Sequence, residues 1–405
     1  MSNLPKGWEL KTLGELSKVK RGASPRPIND PKWWGGDIGW VRISDLTAST
    51  KFLNKTKDKL SNEGVQKSVR INKGEVILSI CATIGRPIIV NTEVCIHDGF
   101  VWFDKLSKKV DREYFYYFLS KKEKELSASR QIGTQGNLNT DIVSRLIFPL
   151  PPIEEQKKIA DILSTVDKKI AFVEENINAT EELKKGLMQK LLTEGIGHTE
   201  FKDSELGKIP ESWEIVKLPE ITVKITSGGT PSRAKPEYYE NGTVNWIKTG
   251  ELRDCYIYDS EEKITEEAVT NSSAKKFPVD TLLIAMYGAT IGRTAYLKVE
   301  SSTNQACCAI IFNPEKANTH FYWQYFLFTR ETLISKGCGA GQPNISQGII
   351  KDLFIPFPPL EEQKQIAEIL STVDKKLENL KEKKQSFEEL KKGLMQKLLT
   401  GEVRV

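Results

Sequence analysis

The sequence predicts an α+β fold in which a mostly β head followed by one long helix occurs twice. The first observation is a repeat. Pro149–Ile170 (PLPPIEEQKKIADILSTVDKKI) and Pro356–Leu377 (PFPPLEEQKQIAEILSTVDKKL) are identical at 17 of 22 positions and lie 207 residues apart. The second is that Glu181–Thr193 (EELKKGLMQKLLT) recurs unchanged at Glu388–Thr400. Two copies are too few for a solenoid. The chain is therefore a tandem duplication with pseudo-twofold organisation.

Each head opens with a matching tryptophan, Trp8 or Trp213, followed by a loop of glycine, serine and proline. The loops read RGASPR at 21–26 and SGGTPS at 227–232, compositions typical of turns between strands. Either they are plain turns, or their N–H groups and hydroxyls face phosphate or a base edge. The candidate contacts in these loops are Ser24, Arg26, Gly229, Thr230, Ser232 and Arg233.

The next matching segments are Gly39–Leu46 (GWVRISDL) and Asn245–Leu252 (NWIKTGEL). Their alternation predicts strands, with Arg42 and Ser44 on one face of the first strand. Lys248 takes the place of Arg42 in the second head. All three side chains are candidate nucleic-acid contacts.

Charge separates the heads beyond these strands. Residues 1–148 carry 25 Lys/Arg against 16 Asp/Glu, a net +9, whereas residues 200–355 carry 17 against 20, a net −3. The basic first head indicates a polyanion partner such as nucleic acid. A charge run is most often a solvated face, but lysines can also contact phosphate. The basic run contains Lys51, Lys55, Lys57 and Lys59, and the acidic run of the second head contains Asp254, Asp259, Glu261 and Glu262.

A second apolar strand in each head ends at a shared ATIGR turn, which closes at Arg86 or Arg293. These arginines either form local salt bridges or reach phosphate or guanine, which arginine contacts bidentately. Tyr287, just before the second turn, is a further candidate. Aromatic helices expected in the cores follow at Tyr114–Leu119 and Phe321–Phe328.

Polar loops at 130–139 and 337–346 follow the aromatic segments. Their amide side chains either read adenine or cap the short helix that follows, predicted at Asp141–Leu146. We favour the cap for Asn137 and its match Asn344. The glutamines and one arginine stay candidate contacts: Arg130, Gln135 and Gln342.

Each repeated segment predicts one helix of roughly 40 residues that begins after a proline cluster. Apolar spacings of three and four form a coiled-coil seam, which must be buried, and the nearest partner is the other copy. The seam slips near Ala179 and resumes at Leu183. Gly186 and Gly393 either permit close backbone approach or are neutral. The seam residues are Ile159, Leu163, Val166, Ile170, Val173 and Leu187 in the first helix, and Ile366, Leu370, Val373, Leu377, Leu380 and Leu394 in the second.

Several classes of protein are disfavoured. An apolar run long enough for a membrane span is missing, as is a signal-peptide pattern. Six cysteines without CxxC spacing and three scattered histidines make zinc improbable and fit a reducing cytoplasm. There is no GxxxxGK[ST], HExxH or GxSxG motif. The catalytic tetrapeptide expected of an amino-methylating enzyme, Asn/Asp-Pro-Pro-aromatic, is also missing from the sequence. We therefore assign no catalytic residue, metal site or cofactor site.

The chain resembles the specificity subunits of type I restriction-modification enzymes. The resemblance covers essentially the whole sequence and is carried by both PxPPxEEQ helix starts, both KKGLMQKLL helix ends, the GGTPS loop and both ATIGR turns. The first head departs from the pattern at Gly22-Ala-Ser-Pro25, where the second has Gly-Gly-Thr-Pro.

The resemblance implies two target-recognition domains, each reading half of a bipartite asymmetric site in double-stranded DNA, separated by two antiparallel coiled-coil helices. It implies domains at 1–148 and 200–355 and helical regions at 149–199 and 356–405. Two methyltransferase subunits would bind S-adenosylmethionine and methylate adenine N6, and ATP- and Mg-dependent restriction subunits would join them. The alternatives are a stand-alone two-headed DNA-binding or scaffold protein, or an enzyme with a dispersed active site such as a nuclease.

Overall fold

A computed structural model of the chain describes residues 4–128, 138–337 and 344–405. It forms two compact units, unit 1 (Met1–Glu174 with Glu382–Val405) and unit 2 (Glu175–Lys381). Each unit contains one head, and both long helices have one part in each unit. The division between the units therefore falls within both long helices.

Unit 1 builds its head from two mixed sheets and a short ribbon. One sheet has the strand order β2-β10-β7-β8-β4, the other β5-β3-β9-β6, and β1 pairs with β11. The strands are β1 (Glu9–Thr12), β2 (Lys18–Arg21), β3 (Trp34–Val41), β4 (Phe52–Leu53), β5 (Asp58–Leu60), β6 (Val69–Ile71), β7 (Val76–Ser79), β8 (Pro87–Val90), β9 (Val94–Ile96), β10 (Phe100–Asp104) and β11 (Ile147–Leu150). The helices are α1 (Leu13–Leu16), α2 (Ile43–Thr47), α3 (Asn62–Gln66), α4 (Arg112–Ala128), α5 (Thr140–Ser144) and the first part of α6 (Ile153–Leu191), with a 3₁₀ turn at Pro31–Trp33.

Unit 2 repeats this plan and adds a hairpin. Its sheets have the orders β15-β23-β20-β21-β17 and β18-β16-β22-β19, while β14 pairs with β24 and β12 with β13. The strands are β12 (Phe201–Ser204), β13 (Gly207–Pro210), β14 (Glu214–Lys217), β15 (Thr222–Ser227), β16 (Val244–Ile247), β17 (Cys255–Ile257), β18 (Lys263–Ile264), β19 (Lys276–Phe277), β20 (Leu282–Ala285), β21 (Thr294–Leu297), β22 (Ser301–Thr303), β23 (Cys307–Phe312) and β24 (Phe354–Phe357). The helices are α7 (Glu266–Thr270), α8 (Thr319–Phe328), α9 (Arg330–Ser335), α10 (Gln347–Lys351) and the first part of α11 (Leu360–Leu398), with 3₁₀ turns at Leu218–Ile221, Pro236–Tyr238 and Thr249–Glu251.

The aromatic helices are core elements, as predicted. In unit 1, Tyr114, Phe115 and Tyr117 on α4 are fully buried. They belong to one apolar cluster that also contains Val101 of the five-stranded sheet and Leu163 of α6. The seam of each long helix is therefore shared, because its N-terminal part packs against a head as well as against the other helix.

Within each unit the two long helices run antiparallel, as the resemblance implied. In unit 1, Asp167 pairs with Lys391 (2.6 Å) and Glu174 with Lys384 (2.9 Å). The described seam is buried at Ile159, Leu163, Val166, Val173, Ile366, Leu370, Val373 and Leu377, and half-buried at Ile170, Leu187, Leu380 and Leu394. Leu183 is 51% exposed, so the prediction that the stripe resumes there is wrong.

Close approach does not explain the two helical glycines. A Cβ at Gly186 or Gly393 would meet no atom within 4 Å among the residues that the structure describes. Of the two interpretations left open by the sequence, the neutral one is favoured.

The repeated Glu-Glu-Gln joins each long helix to its head. Gln156 is fully buried, accepts from the Asp111 N–H (2.8 Å) and donates to the carbonyls of Lys109 and Pro151 (both 2.8 Å). Gln363 repeats this in unit 2 with the Asn318 N–H and the carbonyls of Lys316 and Pro358. The buried amide fixes where each head meets its helix.

The glutamate before each glutamine binds the tryptophan that opens the head. Trp8 donates to Glu155 (3.2 Å) and Trp213 to Glu362 (2.9 Å). Arg404 also donates to both oxygens of Glu155 (3.0 and 2.7 Å), and this hydrogen bonding holds the pKa of Glu155 below its ordinary value. In unit 2, His198 stands 2.8 Å from Glu362. Each carboxylate thus connects the start of a long helix to the start of its head.

A third helix residue, the aspartate of STVDKK, is shared in a different way. Asp167 accepts from the Tyr117 hydroxyl (2.7 Å), and Asp374 accepts from the Gln324 amide (2.8 Å). Each aspartate also pairs with a lysine of the other long helix at 2.6 Å. One helix position therefore accepts a different donor from each head.

Candidate nucleic-acid interface

Four predicted contacts of the first head converge on one cleft of about 490 Å³, here called the head 1 cleft. Its lining is Ser24, Arg26, Ile28, Trp40, Arg42, Ile43, Ser44, His97 and Asp98. The loop reaches the cleft by passing close to the sheet. A Cβ on Gly22 would collide with the His97 carbonyl, so glycine is required there. The glycine of the motif thus lets the loop backbone pass close to the sheet, and this places Ser24 and Arg26 in the cleft.

Asp98 organises the head 1 cleft. It accepts from the Ser24 hydroxyl at 2.9 Å and lies 3.5 Å from the Arg26 guanidinium. Burial disfavours its ionised form, but the hydrogen bond from Ser24, a backbone N–H and nearby Arg21 outweigh this and lower the pKa of Asp98. The Arg26 side chain is 72% exposed and has only this long contact among the described residues. Arg26 is therefore placed to reach a ligand.

Arg42 is held more firmly than Arg26. It forms an ion pair with Asp58 and lies over the Trp34 ring, 5.6 Å from the ring centroid. Its backbone N–H donates to Asp45 (2.8 Å), which also accepts from the Lys57 N–H (3.1 Å). Asp45 thereby joins the cleft to the exposed lysine run.

The strand prediction for Gly39–Leu46 is wrong after Val41. Arg42 precedes helix α2, where Asp45 accepts its N–H, and Ser44 lies in the first turn of that helix. In the second head, Glu251 accepts the Lys248 N–H (2.9 Å) and a 3₁₀ turn replaces the helix. In both heads the strand ends where an acidic side chain accepts the backbone N–H of the residue three positions before it.

The second head builds the corresponding region with other partners. Thr230, which precedes a proline as Ser24 does, donates to Gln305 instead of to an aspartate. Gly229 is again a close approach, because a Cβ there would collide with Ser273. Ser232 is exposed beside it. The hydroxyl–acceptor geometry is repeated while the acceptor changes from carboxylate to amide.

Glu262 pairs with two basic candidates of the second head, Arg233 and Lys248. Arg233 binds it with both terminal nitrogens, and Lys248 lies 3.4 Å away. The Arg233 hydrogen bonds, aided by Lys248, lower the pKa of Glu262. Arg233 also stacks on Tyr239, with 4.2 Å between its guanidinium carbon and the ring centroid. Glu262 of the acidic run therefore serves as an internal partner. It holds Arg233 in place, whereas Arg26 is exposed and lacks a comparable close partner among the described residues.

The arginines of the two ATIGR turns are bonded locally. Arg293 pairs with Asp254, and Arg86 donates to the Ser49 carbonyl (3.0 Å). This geometry favours the local interpretation for Arg293, while Arg86 lines a separate cleft described below. Tyr287 is 38% exposed and remains a candidate.

Lys51 does not lie on the solvated face predicted for it. Its side chain is 8% exposed, and its ammonium pairs with Glu113 and contacts the Tyr117 hydroxyl (3.1 Å). Because β4 pairs with β8, the Lys51 side chain points inward over the aromatic helix. In this conformation its ammonium does not face solvent, so the expectation that Lys51 lies in an exposed, phosphate-accessible run is wrong. Lys55, Lys57 and Lys59 are exposed, as expected.

The remaining candidates fall on the polar loops. Arg130, Gln135 and Gln342 lie outside the described residues, as does Asn137. The helix caps are found two residues later than predicted: Asn139 caps α5 and Ser346 caps α10. Asn344 is therefore not the capping residue.

Asp98 and Gln305 are the functional candidates that sequence reasoning missed. They occupy matching positions 207 residues apart, but neither belongs to a motif, so no signal in the sequence singled them out. An aspartate only accepts hydrogen bonds, whereas a glutamine both donates and accepts. The two clefts are therefore chemically different at matching positions.

Neither a metal cluster nor a membrane helix is found in the described parts of the chain. No group of three or more His, Cys, Asp or Glu residues there could hold a metal ion. None of the helices there has the length and apolar character needed to cross a membrane.

The fold and clefts define a two-headed recognition protein whose heads share a scaffold and differ in their polar side chains. A family model for the type I restriction modification DNA specificity domain matches residues 5–182 and again 210–389. The chain belongs to this family, as the sequence resemblance indicated, and the alternative of a stand-alone two-headed DNA-binding or scaffold protein is not favoured.

Relatives and solved structures agree with this assignment. The MjaVIII specificity subunit of Methanocaldococcus jannaschii is 28% identical over 99% of this chain and 94% of its own length. The EcoR124I/EcoR124II specificity subunit of Escherichia coli is 25% identical over 84% and 87%. The S subunit structure from M. genitalium has a TM-score of 0.62 at 15% identity, covering 98% of this chain and 97% of that one. The likeness of this chain to that S subunit structure supports the α+β fold.

Proposed function

We propose that each head reads one half of a bipartite, asymmetric site in double-stranded DNA. The observation that carries this proposal is the Ser24–Asp98 pair of one head and its counterpart Thr230–Gln305 in the other. The scaffold is constant, and the hydrogen-bonding side chain changes. An acidic side chain can accept from the amino group of cytosine, and glutamine pairs bidentately with adenine.

The two heads differ in cation availability as well. Arg26 is open, whereas Arg233 is held by Glu262 and aromatic rings. An open arginine can bind guanine or a phosphate. A locked one positions the loop around it. Different half-sites follow from these differences, which matches the asymmetric site proposed here.

The chain would act with two methyltransferase subunits and with restriction subunits. Supporting this, the repeated helix ends expose the same apolar residue twice, Leu183 at 51% and Leu390 at 48%. Two copies of one surface suit two copies of one partner. We place S-adenosylmethionine, ATP and Mg on those partners because this sequence lacks their binding motifs, and we place the assembly in the cytoplasm.

One experiment tests the two-reader proposal. The chain is expressed with methyltransferase subunits, and adenine methylation of the host DNA is mapped for the wild type and for a variant with residues 1–148 replaced by another head. We expect one half-site to change and the other to persist. A change in both halves would contradict the proposal. DNA binding without any partner-dependent methylation would favour a stand-alone DNA-binding protein.

A further inference from the structure

Unit 1 contains a second cleft, of about 1020 Å³, between α4 and the C-terminal part of α11. We call it the α4–α11 cleft. Its basic lining residues are Arg86, Lys121, Lys124, Lys391 and Lys392, and its acidic lining residues are Glu123 and Glu388. It is separate in its lining from the head 1 cleft, and none of the functions assigned above uses it.

Most of these cations lack a carboxylate partner. Lys391 pairs with Asp167, but Arg86, Lys121, Lys124 and Lys392 form no ion pair with any described residue. Lys121 is half-buried, and among the described residues its ammonium donates only to the Gln396 carbonyl, at 3.4 Å. A partly desolvated ammonium without a counter-ion is unfavourable unless an anion joins it.

Burial acts on both signs of charge here. Burial, reinforced by neighbouring Lys122, lowers the pKa of Lys121. Burial also raises the pKa of Glu123, opposed by Arg86. Burial therefore disfavours the charged forms of Lys121 and Glu123, and the cations that line the cleft outnumber its acids.

Unit 2 supplies an internal comparison, because the duplication gives it residues that match those of unit 1. Arg293 matches Arg86, and both Arg293 and Arg330 pair with Asp254. The strand pairings place Thr50 where unit 2 has Asp254, since β4 pairs with β8 as β17 pairs with β21. The same arginine therefore forms an ion pair in unit 2, whereas in unit 1 it forms none with the described residues and acts on the pKa of Glu123 from a longer distance.

We propose that the α4–α11 cleft of unit 1 binds phosphate groups. Lysine ammonium groups and an arginine that line one cleft are suited to phosphate oxygens. The phosphates can come from the backbone of bound DNA or from a free polyphosphate compound. The backbone source rests on the proposed DNA-binding function, whereas the free source does not.

The test uses the full-length chain and a charge-matched control. The cleft variant is Lys124→Gln with Lys392→Gln, both exposed side chains, so folding is expected to be preserved. The control is Lys185→Gln with Lys375→Gln, exposed on the long helices of unit 2, where Lys185 matches Lys392 in the repeat. Both variants lose the same charge, so any difference between them reports location.

Two measurements separate the phosphate sources. The first is the salt dependence of binding to a short duplex, whose log–log slope should fall by about 1.8 if both lysines contact DNA phosphates, at about 0.9 each. The second is thermal stabilisation by inorganic tripolyphosphate. A reduced slope in the cleft variant alone identifies DNA as the source.

Loss of tripolyphosphate stabilisation in the cleft variant alone, with an unchanged slope, identifies a free polyphosphate. If both variants behave alike in both measurements, the cleft does not bind phosphate and the proposal is overturned. If the wild-type chain binds no DNA, the proposed function fails, but the tripolyphosphate measurement still decides the cleft.

Discussion

Replacing Gln156 by alanine should destabilise unit 1 severely, although the change touches neither cleft. The side chain is fully buried and satisfies three backbone groups: the Asp111 N–H and the carbonyls of Lys109 and Pro151. Each buried group left without a partner costs about 1–3 kcal/mol. Because water can enter the space left by the amide, we expect a total near the lower end, about 3–5 kcal/mol.

The measurement is scanning calorimetry of the full chain, read as the shift of the unit 1 transition. For a unit of this size, the melting temperature falls by about 2–4 °C per kcal/mol, so a fall on the order of 10 °C is expected. Glu154→Ala is the control, since that neighbouring side chain is 74% exposed and, within the part of the chain that the structure describes, pairs only with Lys157. If Gln156→Ala melts within a few degrees of the control, the buried amide does not join head and helix as inferred.

Three further outcomes follow from the structure. Deleting Arg404 and Val405 should lower the melting temperature of unit 1 only slightly, because the Arg404 side chain that pairs with Glu155 is 46% exposed and solvent screens the pair; an unchanged calorimetric transition would contradict this. Lys55→Gln with Lys57→Gln should reduce the salt slope of DNA binding by about 0.9 for each phosphate that a lysine no longer neutralises, whereas Lys51→Gln should lower stability instead; a reduced slope for Lys51→Gln alone would reverse this assignment. Burial lowers the pKa of His320 below its ordinary 6.5, so the unfolded chain binds more protons and stability should fall as pH drops below about 6.5; His320→Gln should flatten that loss, and equal pH profiles would refute it.

Local patterns in the sequence predicted the parts of this fold that depend on local physics. The prolines and the three–four spacing place α6 and α11 within a few residues of where they lie. The glycine loops, the ATIGR turns and the aromatic helices were recognisable for the same reason. These features depend on backbone conformation or on one apolar face, and both are written in neighbouring residues.

Features that depend on pairing between distant strands were not predictable in this way. Lys51 lies in a basic run, and only the pairing of β4 with β8 shows that it points inward to Glu113 and Tyr117. Asp98 belongs to no motif, and its importance appears only where the Ser24 loop crosses the sheet. Side-chain partners far apart in sequence require the tertiary structure.

The duplicated helices show how two unlike heads can be carried by nearly identical attachments. Asp167 and Asp374 occupy matching helix positions, yet one accepts a tyrosine hydroxyl and the other a glutamine amide. A carboxylate has several acceptor sites and tolerates different donors, whereas the buried amides of Gln156 and Gln363 bind backbone groups, which every head possesses. The attachment therefore requires only two side chains from a head, a tryptophan near its start and one hydrogen-bond donor that faces the aspartate. A head with these features can vary its cleft residues freely, and this separation of attachment from recognition is what a protein with two different reading heads needs.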